Sequence, residues 1–366
     1  MISIKASSYQ SMIFILEPET RLDDFDGTEP PKKLLVSLTS DCPNHCDHCM
    51  RAVSDGFWPL PEGRPLPEWI LAQVEKLLPG IRSLRLGGND YGEQLLSPHL
   101  ERFLTTLSNH PSICVQMTSG LSVMDATKAD LIAGAVDIFE WSLEGVGERY
   151  EAVRHVPWER VRRNLRMLVE ARERQPRASK LRIDALVTCF RDNLGHLEEI
   201  LDLADQGVDQ FHFRRFVPNS PRQELQKLEY HRGEANRVFE RLSELGRQRG
   251  IPVVCAPPFP MPTLAETTAR RSARPEALAE APPEKLRKWV CHFPFEVIKI
   301  DTDATVAACC VRMELGRLDE KTPDLLSIWR GEGFRSLRRA VSSGDWPEAC
   351  RKCEFRATQL DWLEVG

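Results

Sequence analysis

Short apolar runs alternate along the chain with longer stretches in which apolar residues recur at helical spacing. The pairs run in this order: KLLVSLT and PEWILAQVEKLL, SLRLGG and PHLERFLTTL, SICVQMT and TKADLIAGA, DIFEWSLEG and VPWERVRRNLRMLVEARER, LRIDALVTCF and NLGHLEEILDLADQG, then QFHFRRFV. Strands that are apolar on both faces predict a parallel sheet buried under helices, and right-handed crossovers curl such a sheet into a partial (β/α)6 barrel.

The pattern changes after residue 217. A helical stretch, ELQKLEYHRGEANRVFERLSELGRQRG, precedes one more short strand, IPVVCA, and residues 256–289 form a linker or lid rich in Pro, Ala and charge. WVCHFPFEVIKIDTDATVAACC then predicts a hairpin that turns at DTDA, and a helix is expected around residues 324–341.

The predicted fold class is therefore α/β, a TIM-like partial barrel followed by a small C-terminal α+β unit with a β-hairpin. We expect an N-terminal extension at 1–32, the barrel at 33–220, a helix and linker at 221–289, and the small unit at 290–366.

Charge and composition narrow the classes of function. The 49 basic and 54 acidic residues leave a net charge of −5, which disfavours a nucleic-acid surface. The only apolar stretch near the start, in MISIKASSYQSMIFILEPET, is too short for a signal sequence or a membrane span, so we expect a cytoplasmic chain that does not contact membranes. Eleven cysteines in such a chain favour metal ligands and reactive thiols over disulfides.

Three of these cysteines, Cys42, Cys46 and Cys49, lie in DCPNHCDHCM, directly after the first predicted strand. Barrels of this kind carry their chemistry in the loops at this end of the strands. Three thiolates can hold three irons of a [4Fe–4S] cluster and leave the fourth iron open. A zinc site completed by His45 or His48, or incidental buried thiols, is the alternative.

A second group of cysteines comes from two C-terminal segments and comprises Cys291, Cys309, Cys350 and Cys353. Four thiolates give a closed coordination shell, suited to an electron relay or to a structural cluster. The same four could hold zinc, and the C-x2-C half favours zinc when sequence physics alone is considered.

The loop after the first strand resembles the C-x3-C-x2-C signature of the radical SAM superfamily, and the resemblance spans nearly the whole chain. In that family the open iron binds S-adenosylmethionine, and one-electron reduction by a donor such as flavodoxin or ferredoxin yields a 5′-deoxyadenosyl radical. The resemblance places His48, in the position that the family usually gives to an aromatic residue, near the adenosyl group.

Further stretches resemble the elements with which that family binds the cofactor. LGGNDYGEQLLSP is similar to the GGE element, and MTSGL is similar to the TNG turn with Ser119 in place of Asn. The resemblance assigns the methionine amino group to Gly88, Asn89, Gly92 and Glu93, the ribose to Ser142, and the methionine carboxylate to Arg154. An ordinary glycine turn and a solvated helix-face arginine are the alternatives.

The C-terminal segments resemble twitch, the shortened form of the SPASM module, which carries one auxiliary [4Fe–4S] cluster. The resemblance makes Cys291, Cys309, Cys350 and Cys353 its ligands and so reverses the preference for zinc. Ala304 stands where the module usually has a glycine before the second ligand.

Three further residues are candidates for contact with the substrate. Cys189, near the end of the fifth strand, and Cys255, beyond the sixth, could each return a hydrogen atom to a substrate radical; a place in the core is the alternative. One of Arg214 and Arg215 could bind substrate, and Arg215 is the one we select; a structural pairing with an acidic neighbour is the alternative.

The resemblance extends to twitch dehydrogenases and epimerases that act on aminocyclitols and sugars in antibiotic biosynthesis. It implies an oxidoreductase or epimerase that acts on a carbinol carbon of a small polyhydroxylated molecule. The alternative is a peptide maturase, a class that often has a recognition domain of roughly eighty residues before the barrel, whereas only about thirty precede the first strand here. A zinc-binding interaction protein is the third hypothesis.

Overall fold

The computed structural model describes residues 27, 29–49, 63–87, 92–176, 181–218, 220–259, 291–309, 313–321 and 323–351. Ten strands join one sheet in the order β10-β9-β8-β1-β2-β3-β4-β5-β6-β7. They are β1 Lys33–Val36, β2 Ser83–Leu86, β3 Cys114–Ser119, β4 Ile138–Leu143, β5 Arg182–Cys189, β6 Gln210–Arg215, β7 Val253–Cys255, β8 Val297–Ile300, β9 Thr305–Ala307 and β10 Gly316–Arg317.

Helices fill most of the connections between the strands. The α-helices are α1 Glu68–Leu77, α2 Leu100–Ser108, α3 Ala126–Ala135, α4 Glu148–Arg154, α5 Trp158–Arg174, α6 Arg232–Arg249, α7 Phe293–Glu296, α8 Leu325–Trp329, α9 Glu332–Ser343 and α10 Glu348–Arg351. The 3₁₀ segments are Leu78–Gly80, Gln94–Leu96, Arg191–Gln206, Glu224–Gln226 and Leu228–His231. The helix expected around 324–341 is interrupted, because Arg330 and Gly331 lie between α8 and α9.

The strands β1 to β7 are parallel, and each pairs with the next along the chain. Alternate residues of each strand, such as Leu34, Val36, Phe139 and Trp141, belong to one large apolar core that also includes buried residues of the helices. This arrangement confirms the α/β class and the partial barrel, because the helices cover one face of a parallel sheet.

The opposite, inner face of the sheet differs from the expectation that the strands are apolar on both sides. Arg85, Gln116, Glu140, Asp184 and His212 all lie on it, and each is almost fully buried. Buried groups of this kind must be satisfied by one another, by water or by a ligand. Short runs such as SLRL and IDALV hide this polarity because one inward polar residue among several apolar ones does not break the apolar appearance.

The C-terminal hairpin belongs to the same sheet as the barrel. Strand β8 runs parallel to β1 and pairs with it from Lys33 opposite Val297 to Val36 opposite Ile300. Strand β9 then pairs with β8 in the antiparallel direction, as the turn at DTDA predicts. The small unit therefore extends the edge of the barrel that β1 would otherwise leave open.

No helix among the residues that the structure describes is both long enough and apolar enough to cross a membrane.

The hairpin turn between β8 and β9 places Ala304 at a φ of 69°. This is the left-handed region, which costs a residue with a Cβ roughly 1–2 kcal/mol and costs glycine little. The backbone N–H of Ala304 donates to the Asp301 carbonyl at 3.0 Å, and the Ala304 carbonyl accepts from Leu318 at 2.9 Å, so the conformation is fixed on both sides.

We predict that Ala304→Gly stabilises the protein by about 1 kcal/mol, because it removes the left-handed strain. The measurement is the urea-unfolding midpoint of protein purified without air. Ala307→Gly in β9 is the matched control and is expected to lower stability, since it adds glycine to a buried strand. A loss of stability in Ala304→Gly would contradict the strain at this turn.

Candidate functional site

The loop after β1 carries the first three cysteines and is held against two other segments. The Asp47 amide donates to the Val153 carbonyl at 3.0 Å, and the Gln223 side-chain amide donates to the Asp47 carbonyl at 2.8 Å. His155, which follows α4, contacts the Asp47 carboxylate at 2.9 Å. These contacts fix the loop at the carboxyl end of β1, where the sequence predicts the chemistry.

Within this loop the three thiols influence one another. Burial raises the pKa of the Cys46 thiol to about 12, Arg154 opposes this shift, and the neighbouring Cys42 and Cys49 add to it. Cys46 is buried, whereas Cys42 and Cys49 are partly exposed. Such thiols become thiolates when a positive group binds them, because the positive charge offsets both burial and mutual repulsion.

Among the described residues, no three His, Cys, Asp or Glu side chains are grouped to hold a single metal ion. Binding of a cluster does not require such a group, because each cysteine ligates a different iron. His45 is exposed and His48 contacts an acidic residue, Glu144.

That acidic residue is the charged centre of the site. Both oxygens of the Glu144 carboxylate accept from Arg154, Nε and Nη2 each at 2.6 Å, and Glu144 Oε1 lies 3.2 Å from His48 Nε2. Burial works against the charge, yet Arg154 and His48 outweigh it and hold the pKa of Glu144 at about 2. Sequence reasoning selected Arg154 and His48 but missed Glu144, although it is the acidic residue of SLEG.

Glu93 forms the second buried carboxylate. Its Oε1 accepts from the Ser119 hydroxyl at 2.8 Å, and its Oε2 accepts from the Gly120 amide at 2.8 Å. Burial raises the pKa of Glu93 above its usual value. Gly92 packs against the backbone, because a Cβ there would lie 2.0 Å from the Thr39 carbonyl oxygen. Gly88 and Asn89, the other expected members of this element, lie outside the described residues.

Three polar side chains surround Gly120. A Cβ built there would lie 2.8 Å from Asn44 Nδ2, 3.2 Å from Arg154 Nη1 and 3.3 Å from Glu93 Oε2, so only glycine fits. Asn44 is buried, and its Oδ1 has no hydrogen-bond partner in the part of the chain that the structure describes. A donor, an acceptor and a cation side by side, with one orphaned oxygen, suit a ligand that carries both an amine and a carboxylate.

These residues therefore fit S-adenosylmethionine together with a cluster bound by the three thiols. Sequence reasoning missed Asn44, and only its position between two of the cysteines could have indicated it.

Ser142 lies half-buried on the inner face of β4, two residues before Glu144. The turn after it is braced by Asn193, whose side-chain amide donates to the Glu144 and Thr188 carbonyls, each at 2.8 Å. Asn193 also accepts from the Phe190 amide at 2.9 Å. One side chain thus ties together the loops that follow β4 and β5, and it is a further residue that sequence reasoning missed.

The expectation that Cys189 and Cys255 face the active site needs correction. Cys189 is fully buried on the helix-covered side of β5 with Val187, and burial raises the pKa of its thiol well above the usual value. Cys255 packs against α6, its Sγ lies 3.5 Å from the Phe239 carbonyl oxygen, and burial raises its pKa to about 11. Strand alternation explains the result, because a residue near a strand end still points to only one face.

Arg215 is corrected for the same reason. Its guanidinium donates to the Pro257 carbonyl and stacks 3.7 Å from the ring centre of Phe259, so it anchors the segment after β7. Arg214, the neighbour that we did not select, lies on the inner face, with Nη2 3.8 Å from Glu140 Oε1. Arg214, and not Arg215, therefore shares the inner face with the buried polar residues.

The structure describes three of the four C-terminal cysteines. Cys291, Cys309 and Cys350 are each partly exposed, and Cys291 and Cys350 pack against the apolar core. Cys353 lies outside the described residues, so the assignment of a four-thiolate site there remains a prediction.

Comparisons with known families cover both cysteine groups. A family described as the Radical SAM superfamily matches residues 36–204, and SPASM, described as an iron-sulfur cluster-binding domain, matches residues 291–354. No curated protein is significantly similar to the chain in sequence.

Solved structures share the fold at low identity. SuiB of Streptococcus suis, bound to its precursor peptide SuiA, is 15% identical with a TM-score of 0.57, over 85% of this chain and 67% of that one. Native anSMEcpe with bound AdoMet is 13% identical with a TM-score of 0.60, over 88% and 87%. BtrN in complex with AdoMet and 2-DOIA is 11% identical over 89% and 94%, but its TM-score of 0.45 is too low to bear on this chain.

We predict that Glu144→Gln destabilises the protein by about 3 kcal/mol, because it leaves Arg154 buried without its counter-charge. Urea unfolding of the protein with its clusters measures the loss. Glu199→Gln is the matched control: Glu199 pairs with Arg149 at 2.8 Å on the surface, where such a pair is worth under about 1 kcal/mol. Equal losses in the two variants would contradict a structural role for the buried pair.

Proposed function

We propose that this chain, a radical SAM enzyme with a C-terminal SPASM domain, oxidises a carbinol carbon of a small polyhydroxylated substrate to a ketone. The two domains are those that bind [4Fe–4S] clusters and S-adenosylmethionine. The cofactor, when bound and reduced, supplies a carbon radical that takes a hydrogen atom from the substrate. Binding, orienting and deprotonating the substrate fall on residues of this chain.

The residues proposed to hold these groups come from the site around the cysteine loop. Cys42, Cys46 and Cys49 are the ligands of the first cluster, and the amine and carboxylate of the cofactor bind among Asn44, Glu93 and Arg154. The Glu144 carboxylate orients Arg154 through two hydrogen bonds, which leaves Nη1 on the side of Gly120. Ser142 is the proposed contact to the ribose.

The observation that carries the proposed substrate class is the charged inner face of the barrel. Glu140 accepts from Gln116 Nε2 at 2.7 Å and from the Thr118 hydroxyl at 2.6 Å, and it also pairs with Arg85. Gln116 Oε1 and His212 Nδ1 on this face are buried and have no hydrogen-bond partner among the described residues. Hydroxyl and amino groups of a sugar or an aminocyclitol can satisfy such atoms, whereas an apolar substrate would leave them unsatisfied.

Oxidation is favoured over epimerisation by the positions of the two thiols that we expected to return hydrogen. Cys189 and Cys255 both lie on the helix-covered side of the sheet. Cys114 shares the inner face with Gln116, but it begins β3, at the end of the strands remote from the cysteine loop. An oxidation needs no thiol, because the substrate gives up a proton and a further electron instead. The SPASM cluster is the proposed electron acceptor.

Peptide modification is the second candidate. SuiB was solved with its precursor peptide, and anSMEcpe with the Cp18Cys peptide. Both share the fold of this chain at 13–15% identity, so the two candidates need a direct test.

Deuterium transfer separates the two candidates. Protein reconstituted without air is mixed with S-adenosylmethionine, a reductant and one of two panels: aminocyclitols and sugars deuterated at carbinol carbons, or peptides deuterated at Cα and Cβ. The proposal expects deuterium in 5′-deoxyadenosine, and a product lighter by two hydrogens, from the first panel alone. Transfer from the peptides alone would replace the proposal with peptide modification.

We predict that replacing Cys42, Cys46 and Cys49 together by Ala abolishes formation of 5′-deoxyadenosine and halves the bound iron, because one of two clusters is lost. Iron analysis and chromatography of the nucleoside measure the two effects. Cys255→Ala is the control and is expected to change neither. Retained cofactor cleavage in the triple variant, or complete loss of iron, would overturn the assignment of two separate clusters.

A further inference from the structure

His212 is a buried histidine that takes no part in the site around the cysteine loop. It lies on the inner face of β6, between Phe211 and Phe213, which point into the helix-covered core. Its side chain is 7% exposed, and Nε2 lies 3.2 Å from Asp184 Oδ2 on β5. Its other nitrogen, Nδ1, is buried and has no hydrogen-bond partner among the described residues. A buried ring nitrogen without a partner is costly unless a ligand satisfies it.

The contact with Asp184 selects the tautomer of the His212 imidazole. Asp184 is itself fixed, because Arg182 Nε donates to Oδ1 at 2.7 Å and Arg182 Nη2 donates to Oδ2 at 2.8 Å. A carboxylate held in this way accepts from the Nε2–H of a neutral imidazole, which leaves the lone pair on Nδ1. The three residues thus form a chain, Arg182–Asp184–His212, that ends in a proton acceptor.

The position of His212 places this acceptor in the substrate region. Across the ladder it lies level with Leu186 and, one strand further, with Ser142, the proposed ribose contact. The charged groups that share the inner face around it are Asp184, Arg182, Arg214 and Glu140, whereas β7 presents Val254 beside it.

We propose that His212 is the catalytic base that takes the hydroxyl proton of the substrate, an inference that rests on the proposed oxidation. Conversion of a secondary alcohol to a ketone breaks one C–H bond and one O–H bond and makes the C=O π bond. With these groups bound, the substrate carbon would give up a hydrogen atom to the cofactor-derived radical and one electron to the iron–sulfur acceptor, and the substrate oxygen would give up a proton. His212 Nδ1 takes this proton and becomes imidazolium, which Asp184 stabilises.

The two buried acids on this face, Glu140 and Asp184, are less suited to act as the base. Glu140 already accepts from Gln116 and Thr118 and pairs with Arg85, so proton transfer to it would break an established network. Both oxygens of Asp184 accept from Arg182, so proton transfer to this carboxylate would break one of these hydrogen bonds. His212 differs from both acids, because its ring nitrogen Nδ1 has no hydrogen-bond partner among the described residues.

The test compares His212→Ala with His196→Gln, a control at a half-exposed histidine that lies 3.7 Å from Glu199 on the surface. With a deuterated substrate found in the panel above, His212→Ala is expected to lower ketone formation about 10²–10⁴-fold while deuterium still enters 5′-deoxyadenosine. Added imidazole is expected to restore part of the ketone. The His196 variant should match the wild type in both readouts.

A second variant keeps the test decisive if His212→Ala does not fold. Asp184→Asn removes the negative charge that stabilises the imidazolium, so the low-pH limb of ketone formation should move to lower pH. NMR of ring-labelled histidine in the protein without substrate should show the titration of the His212 signal displaced in the same direction. Asp184 acts through His212 and is therefore a positioning residue.

Three results would overturn the role of His212: loss of deuterium transfer together with ketone in a folded His212→Ala, full ketone formation in that variant, or an unmoved pH limb in Asp184→Asn. Failure of the proposed function is recognised separately, because wild-type protein would then transfer no deuterium from any hydroxylated substrate. In that event the only change left to observe would be the displaced NMR titration of His212 in Asp184→Asn, and His212 would have a structural role.

Discussion

The buried pair between Glu144 and Arg154 is the interaction on which the candidate site depends. It joins the end of β4 to α4, and through His48 it reaches the cysteine loop. Two buried charges stabilise each other only when their geometry is nearly ideal. The Arg154 guanidinium meets this condition because it donates to both carboxylate oxygens of Glu144. Because Arg154 has its orientation before any ligand arrives, the cost of ordering it is met during folding and not during binding.

Much of the fold could be predicted from the sequence, since alternating apolar runs and helical stretches determine a parallel sheet with covered strands. The cysteine loop could be located too, because it follows directly after a strand. The side on which a particular residue lies was harder to predict. Cys189 and Arg215 both lie near strand ends. Each points to the helix-covered side of its strand, whereas contact with a substrate requires the inner side. Only the register of the pleat decides this, and a one-residue change reverses it.

Other features depend on contacts between distant segments. Nothing in SLEG says that its acid pairs with an arginine ten residues later, and nothing near Asp184 shows that His212 faces it. The polar inner face was missed for a related reason: Arg85 and Glu140 stand in apolar runs of β2 and β4, although they pair with each other over the intervening β3. Such pairs become visible only when the strands are brought side by side.

The pairing of β8 with β1 has a consequence for the order of folding. Lys33 and Val297 are partners in the ladder, although more than two hundred residues separate them along the chain. During synthesis the outer edge of β1 therefore stays without its strand until residues 297–300 have left the ribosome. Non-local pairings of this kind slow folding, and an uncovered strand edge invites association with other chains. The C-terminal hairpin thus protects the barrel from aggregation only after it has been synthesised and has paired with β1, and truncation before residue 297 would remove that protection.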